Sequence, residues 1–108
     1  MAPAVKTQAL DIIVNVKVKT DELAKAEVTD VLGSAVRHEL DLARVRRDEF
    51  LKDCRTFEGK YNFSSDEFLT RFESGELDDD ADYFSWYAVK RGYDVWERRF
   101  QILSGVAL

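Results

Sequence analysis

The sequence predicts a mainly α-helical protein with one N-terminal β-strand, followed by a helical hairpin or bundle. The bundle would comprise a long central helix, a short helix and a long C-terminal helix. Three observations predict it. The 108 residues include one proline and five glycines, so turns are few. From Ser34 onward, buried-type residues recur at alternating steps of four and three, the spacing of a packed helix. Ahead of them, residues 9–19 alternate apolar and polar, the spacing of a half-buried strand. A chain of this length is expected to form one domain, residues 1–108.

The elements follow in order. Residues 1–9 read as a loose tail. In DIIVNVKVK, Ile12, Val14, Val16 and Val18 point one way, while Ile13, Asn15, Lys17 and Lys19 point the other. No second strand follows, so its unpaired backbone groups need a mate from a second copy or a different protein. Residues 20–61 read as helical, with Thr20 or Asp21 as the cap and Gly33 as a stop or a weak point. Val36, Leu40, Ala43, Arg47, Phe50, Cys54, Phe57 and Tyr61 form a heptad seam that ends at Phe57 or Tyr61. Arg47 breaks the seam and requires an acidic partner, on the last helix or on another protein. Residues 65–104 are helical again. Ser64 and Glu67 form a capping box, Gly75 sits where a helix stops, and Phe63, Phe68, Leu69 and Phe72 supply the buried side. A last helix carries Asp82, Trp86, Val89, Tyr93, Trp96, Phe100 and Leu103 as its seam. Gly92 in that helix suits the close approach of another backbone, and Gly105 ends it.

Composition narrows the function. Hydrophobic content of 45% with 34% charge is globular. A net charge of −5 argues against wholesale nucleic-acid binding but leaves room for a local basic patch. A single cysteine, Cys54, excludes an intrachain disulfide and a multi-cysteine zinc site. No apolar run is long enough for a bilayer and no signal peptide is recognised, so a cytoplasmic protein is expected.

The stretch GELDDDADYFSWY fits a metal site, a pair of catalytic carboxylates or the acidic first turn of a helix. A calcium loop needs a glycine at its sixth position and a glutamate at its twelfth. Counted from Asp78 those are Tyr83 and Val89, and counted from Asp80 the twelfth is Arg91. Asp78, Asp79, Asp80 and Asp82 fit better as the acidic first turn of a helix, where carboxylates meet free N–H groups and the positive end of the dipole. There is no glycine-rich phosphate loop and no G-x-S-x-G. His38 and Cys54, on one helix, stand about 24 Å apart and cannot form a dyad. Arg37, Arg44, Arg46 and Arg47 are interleaved with Glu39, Asp41, Asp48 and Glu49, as on a solvated helix face. A non-enzymatic protein without catalytic residues, cofactor or metal is expected.

Two binding surfaces remain. Asn15, Lys17 and Lys19 share one strand face. With a helix, a Gly33-Ser34 turn and a second helix behind it, this resembles the ribbon–helix–helix arrangement of small dimeric repressors, which read the DNA major groove. The other surface is aromatic. Tyr83, Phe84, Trp86, Tyr87, Tyr93, Trp96 and Phe100 crowd one helix, while Phe84, Ala88 and Val95 lie off its main stripe. Such a helix is central in a bundle or meets a partner, with Trp86 and Trp96 as anchors whose removal leaves the fold intact.

One longer resemblance spans residues 57–100. Lys60, Tyr61, Ser64, Ser65, Glu67 and Phe68 are followed by Phe72, Glu73, Gly75, Glu76 and Leu77, then Asp78 to Asp82, Phe84, Trp86 and Tyr87. This pattern resembles small prokaryotic antitoxins, or antitoxin-like proteins, of type II toxin–antitoxin pairs. The resemblance implies a protein that binds and neutralises a cognate toxin, a nuclease being one candidate. Tyr83, Phe84, Trp86, Tyr87, Tyr93, Trp96 and Phe100, with Asp78, Asp79 and Asp80, are the expected partner-binding residues. The alternative is a DNA-binding homodimer that represses its own operon through Asn15, Lys17 and Lys19. A third is a purely structural helical interaction module.

Overall fold

A computed structural model of the chain describes residues 17–18 and 24–108. These residues form three helices: α1 (Lys25–Tyr61), α2 (Ser65–Glu73) and α3 (Ala81–Ser104). α1 is 37 residues long, about 55 Å, and α3 is 24 residues long, about 36 Å. The two long helices pack antiparallel. Tyr61 at the end of α1 meets Asp82 at the start of α3, and Arg47 meets Glu97 further along. α2 lies across the closed end of this hairpin, against both.

The expected N-terminal strand is corrected. Among the described residues there is no strand. Lys17 and Val18 are exposed and belong to neither helix nor strand, while Asn15, Lys19 and the rest of residues 9–19 lie outside the described residues. The physical reason is the absence of a mate. Every described element is a helix that satisfies its own backbone groups, so none offers a ladder edge. Helix α1 also runs unbroken through Gly33 and Ser34, which removes the turn that a ribbon–helix–helix arrangement requires. It begins at Lys25 with Ala24 as an N-cap that makes no side-chain bond; Thr20 and Asp21 lie outside the described residues.

The predicted helix ends are made by local chemistry. Asn62 adopts a left-handed conformation, φ 65°, and its N–H reaches the Glu58 carbonyl at 2.9 Å, ending α1 at Tyr61. Ser64 accepts from the Glu67 N–H at 3.1 Å, but Glu67 does not return the bond; its carboxylate pairs with Arg71 at 2.7 Å. Gly75, at φ 79°, then closes α2. Its N–H bonds Phe72, and Glu76 N–H bonds Arg71, the two bonds of a Schellman motif.

The seam residues meet as the heptads predict. Arg47 finds its acidic partner on the last helix, Glu97 at 3.3 Å, and its guanidinium lies 4.2 Å above the Phe100 ring. Burial pulls this group down, but the bonds to Asp48 and Glu97 outweigh it and hold the pKa above the usual arginine value. Gly92 does admit a close approach, of the Phe50 ring rather than of a backbone. A Cβ there would lie 2.6–2.8 Å from three ring atoms. Gly92→Ala should therefore lower stability by about 1–3 kcal/mol, although alanine favours helix by about 1 kcal/mol over glycine. A chemical-denaturation midpoint that is unchanged or raised would contradict this contact.

Candidate partner-binding surface

The closed end of the hairpin is where sequence and structure concentrate unusual side chains. Its centre is Trp86, 0% exposed. The indole stacks on Phe68 with centroids 4.1 Å apart and planes 8° from parallel. Phe57, Tyr61 and Phe63 pack around it at 5.1–5.7 Å. Its N–H donates to Ser65 Oγ at 2.9 Å, so the one polar atom of the ring is satisfied. Ser65 N–H in turn donates to Glu58 at 2.9 Å. Burial raises the Glu58 carboxyl, but bonds from Ser65 and Arg55 more than offset this and hold it below the ordinary glutamate value.

Beside this core sits Lys90, also buried, 6% exposed. Its ammonium pairs with Asp66 and Asp94, each at 2.7 Å. Burial disfavours the charged lysine, yet the two carboxylates hold its pKa above the usual lysine value. The pair therefore tethers α2 to α3. Cys54 is buried nearby, and burial pushes its thiol up, so it is a packed rather than a reactive cysteine.

The acidic run is confirmed as a helix start. Asp80 caps α3, accepting from the Asp82 N–H at 2.8 Å. Asp82 then accepts from Tyr61 Oη at 2.7 Å and from Lys60. Those two donors, against a smaller opposing effect of burial, keep the Asp82 carboxyl below its usual range. Asp78 and Asp79 remain exposed. Among the described residues, no three His, Cys, Asp or Glu side chains converge to hold a metal ion, and no helix is long and apolar enough to cross a membrane.

The expected aromatic surface divides into three groups. Trp86 belongs wholly to the core, which corrects its reading as a partner anchor. Tyr93, Trp96 and Phe100 are half-buried along α3, with Phe100 under Arg47 and Trp96 under Arg99 at 5.0 Å. Tyr83, Phe84 and Tyr87 lie at the closed end. Tyr83 packs on Tyr61 and Phe68, and Tyr87 stacks on Phe72 at 4.8 Å. Phe84 stands against the edge of Phe72, 5.6 Å away, yet is 56% exposed. It is a large aromatic held by a firm base and open to solvent. The segment leading into α3, residues 66–82, carries eight carboxylates and one arginine, with Asp66, Glu67 and Asp82 paired to Lys90, Arg71 and Lys60. Phe72 was legible in the sequence only as a core residue; its role as the base beneath Phe84 and Tyr87 was not.

Comparison of the chain with protein-family models, curated proteins and solved structures finds no match.

Two outcomes test this geometry. Trp86→Ala should cost about 3–5 kcal/mol in a urea unfolding curve, because it removes a stacked ring and leaves a cavity at the meeting point of three helices. Glu58 gives the sign of an acid transition. Its folded pKa is lowered, so its contribution is full above the unfolded value of about 4.5 and is lost as pH falls through the lower folded value. Glu58→Gln should flatten the acid limb of the stability–pH curve relative to the native chain.

Proposed function

We propose that this protein is antitoxin-like. It would bind and neutralise a toxin by protein–protein contact, using the acidic closed end of the hairpin. The observation that carries the reading is Phe84, exposed on a stacked Phe72–Tyr87 base within a field of carboxylates. Aromatic side chains are enriched at the centres of protein interfaces, whose rims are polar. Asp66, Glu67, Glu73, Glu76, Asp78, Asp79 and Asp80 suit a basic surface, such as a nuclease presents to phosphate. Charge of this density steers association and specifies orientation more than it adds affinity. The antitoxin resemblance supports the same location, because its residues from Lys60 to Tyr87 are the ones that build this end.

The test is co-expression with the product of the adjacent gene, reading growth and complex formation. The native chain should restore growth and form a complex. Phe84→Ala should weaken the complex by about 2 kcal/mol, roughly thirtyfold, with helical content unchanged. Asp78→Asn, Asp79→Asn and Asp80→Asn together should slow association and flatten its salt dependence. An absence of complex with that product overturns the reading. Binding that ignores both sets of changes overturns the surface assignment.

A further inference from the structure

Cations lie over aromatic rings at five places in this hairpin. Arg47 sits over Phe100 at 4.2 Å, Arg71 over Phe63 and Arg99 over Trp96 at 5.0 Å, and Lys60 over Tyr61 and Lys90 over Tyr93 at 5.4 Å. Each of those rings is half-buried. Of all the Phe, Tyr and Trp side chains, Phe84 alone is exposed, and among the described residues no cation lies over it. Its T-shaped contact with Phe72, planes 88° apart, covers at most one face of the ring. An uncovered ring face carries negative potential and attracts a cation.

Charge and internal precedent select the occupant. Residues 72–89 hold six carboxylates and no lysine or arginine. Among the described residues only Asp82 of the six has an ion-pair partner, Lys60. An apolar side chain brought here would strip water from carboxylates and put nothing in its place, whereas a cation replaces that water. The chain already shows the arrangement once. On α3, Glu97 precedes Phe100 by three residues, and the Arg47 guanidinium pairs with that carboxylate while lying over that ring. Asp80 precedes Phe84 by four residues, the other spacing that puts two side chains on one helix face. One Asp80 oxygen caps α3 through the Asp82 N–H, which leaves the carboxylate its charge and its second oxygen. The three arginines also lie closer to their rings than the two lysines do, as expected of a planar, weakly hydrated guanidinium. We infer that the Asp80–Phe84 pair is the receptor for a guanidinium side chain of the partner. This deepens the antitoxin-like reading and rests on it for the partner, while the guanidinium is what the pair recognises whichever protein carries it.

The test is calorimetric titration of the full chain with an oligo-arginine peptide at low salt, with ring-carbon NMR of Phe84 and with oligo-citrulline as the neutral isostere. Oligo-arginine should bind and shift the Phe84 ring signals, and oligo-citrulline should do neither. Phe84→Leu keeps an apolar side chain at an exposed position, so helical content should persist. It should weaken oligo-arginine binding about two- to fivefold, while Phe84→Trp retains or tightens it. Ring signals that stay still at saturation overturn the inference, and so does a Phe84→Leu variant that binds like the native chain. The co-expressed complex separates this inference from the reading it rests on. A complex that tolerates Phe84→Leu but is weakened by Phe84→Ala keeps the antitoxin-like reading and overturns the guanidinium receptor. No complex, with the peptide results as expected, overturns the antitoxin-like reading and keeps the receptor.

Discussion

The contact between the Trp86 indole and the Phe68 ring sets the geometry of everything around it. Trp86 belongs to α3 and Phe68 to α2, and the rings that surround the indole include Phe57 and Tyr61 of α1. One side chain is thus touched by all three helices. Its single polar atom is anchored to Ser65 at the first turn of α2, and Ser65 is anchored to Glu58 on α1. Position and orientation of the short helix are both fixed by this chain of bonds. Phe72 is then held where it can support Phe84 and Tyr87 from below.

A two-helix hairpin has a single seam, and that limits its core. Among the described residues, the fully buried apolar side chains are Ala43, Cys54, Phe68 and Trp86. Three of the four sit toward the closed end, where α2 adds a third layer. Among the described residues, the open half has only α1 and α3 to cover each other, and Val31, Leu42, Val45, Val95 and Ile102 are exposed on their outer sides. Stability is therefore concentrated at one end and unfilled packing capacity at the other. The surface is divided in the same way by charge, with carboxylates crowded around the rigid end and balanced signs along the open one.

The acidic end derives its order from the same few contacts that secure the fold. Asp80 and Asp82 are occupied as cap and as partner of Tyr61 and Lys60, and Asp66 is half of the Lys90 bridge. Asp78, Asp79, Glu73 and Glu76 are exposed on a backbone held by the Gly75 turn and the Asp80 cap. Their field is presented by a backbone already ordered by the fold.

Heptad spacing located α3 and the part of α1 from Val36 onward, because a packed helix must repeat its buried side every three to four residues. Gly75, which supports left-handed backbone, and Ser64 and the acidic run at Asp80, which offer side-chain caps, marked their ends to within a few residues, whereas the left-handed Asn62 that ends α1 was not read as a stop. Arg47 was legible as a seam residue in need of an acid, since a buried guanidinium cannot remain unpaired. Alternation in residues 9–19 suggested a strand, but side-chain period states only which faces a segment has, not whether a neighbour exists to pair with it. Three questions were decided by tertiary structure alone. The antiparallel packing of α1 and α3 depends on the short connection through α2, which the seams do not encode. The separation of Trp86 from Phe84, one sealed and one exposed though two residues apart, depends on which side of α3 faces α1 and α2. Both stripes of α3 are apolar in sequence, and only the position of the neighbouring helices determines which of them is core and which is surface.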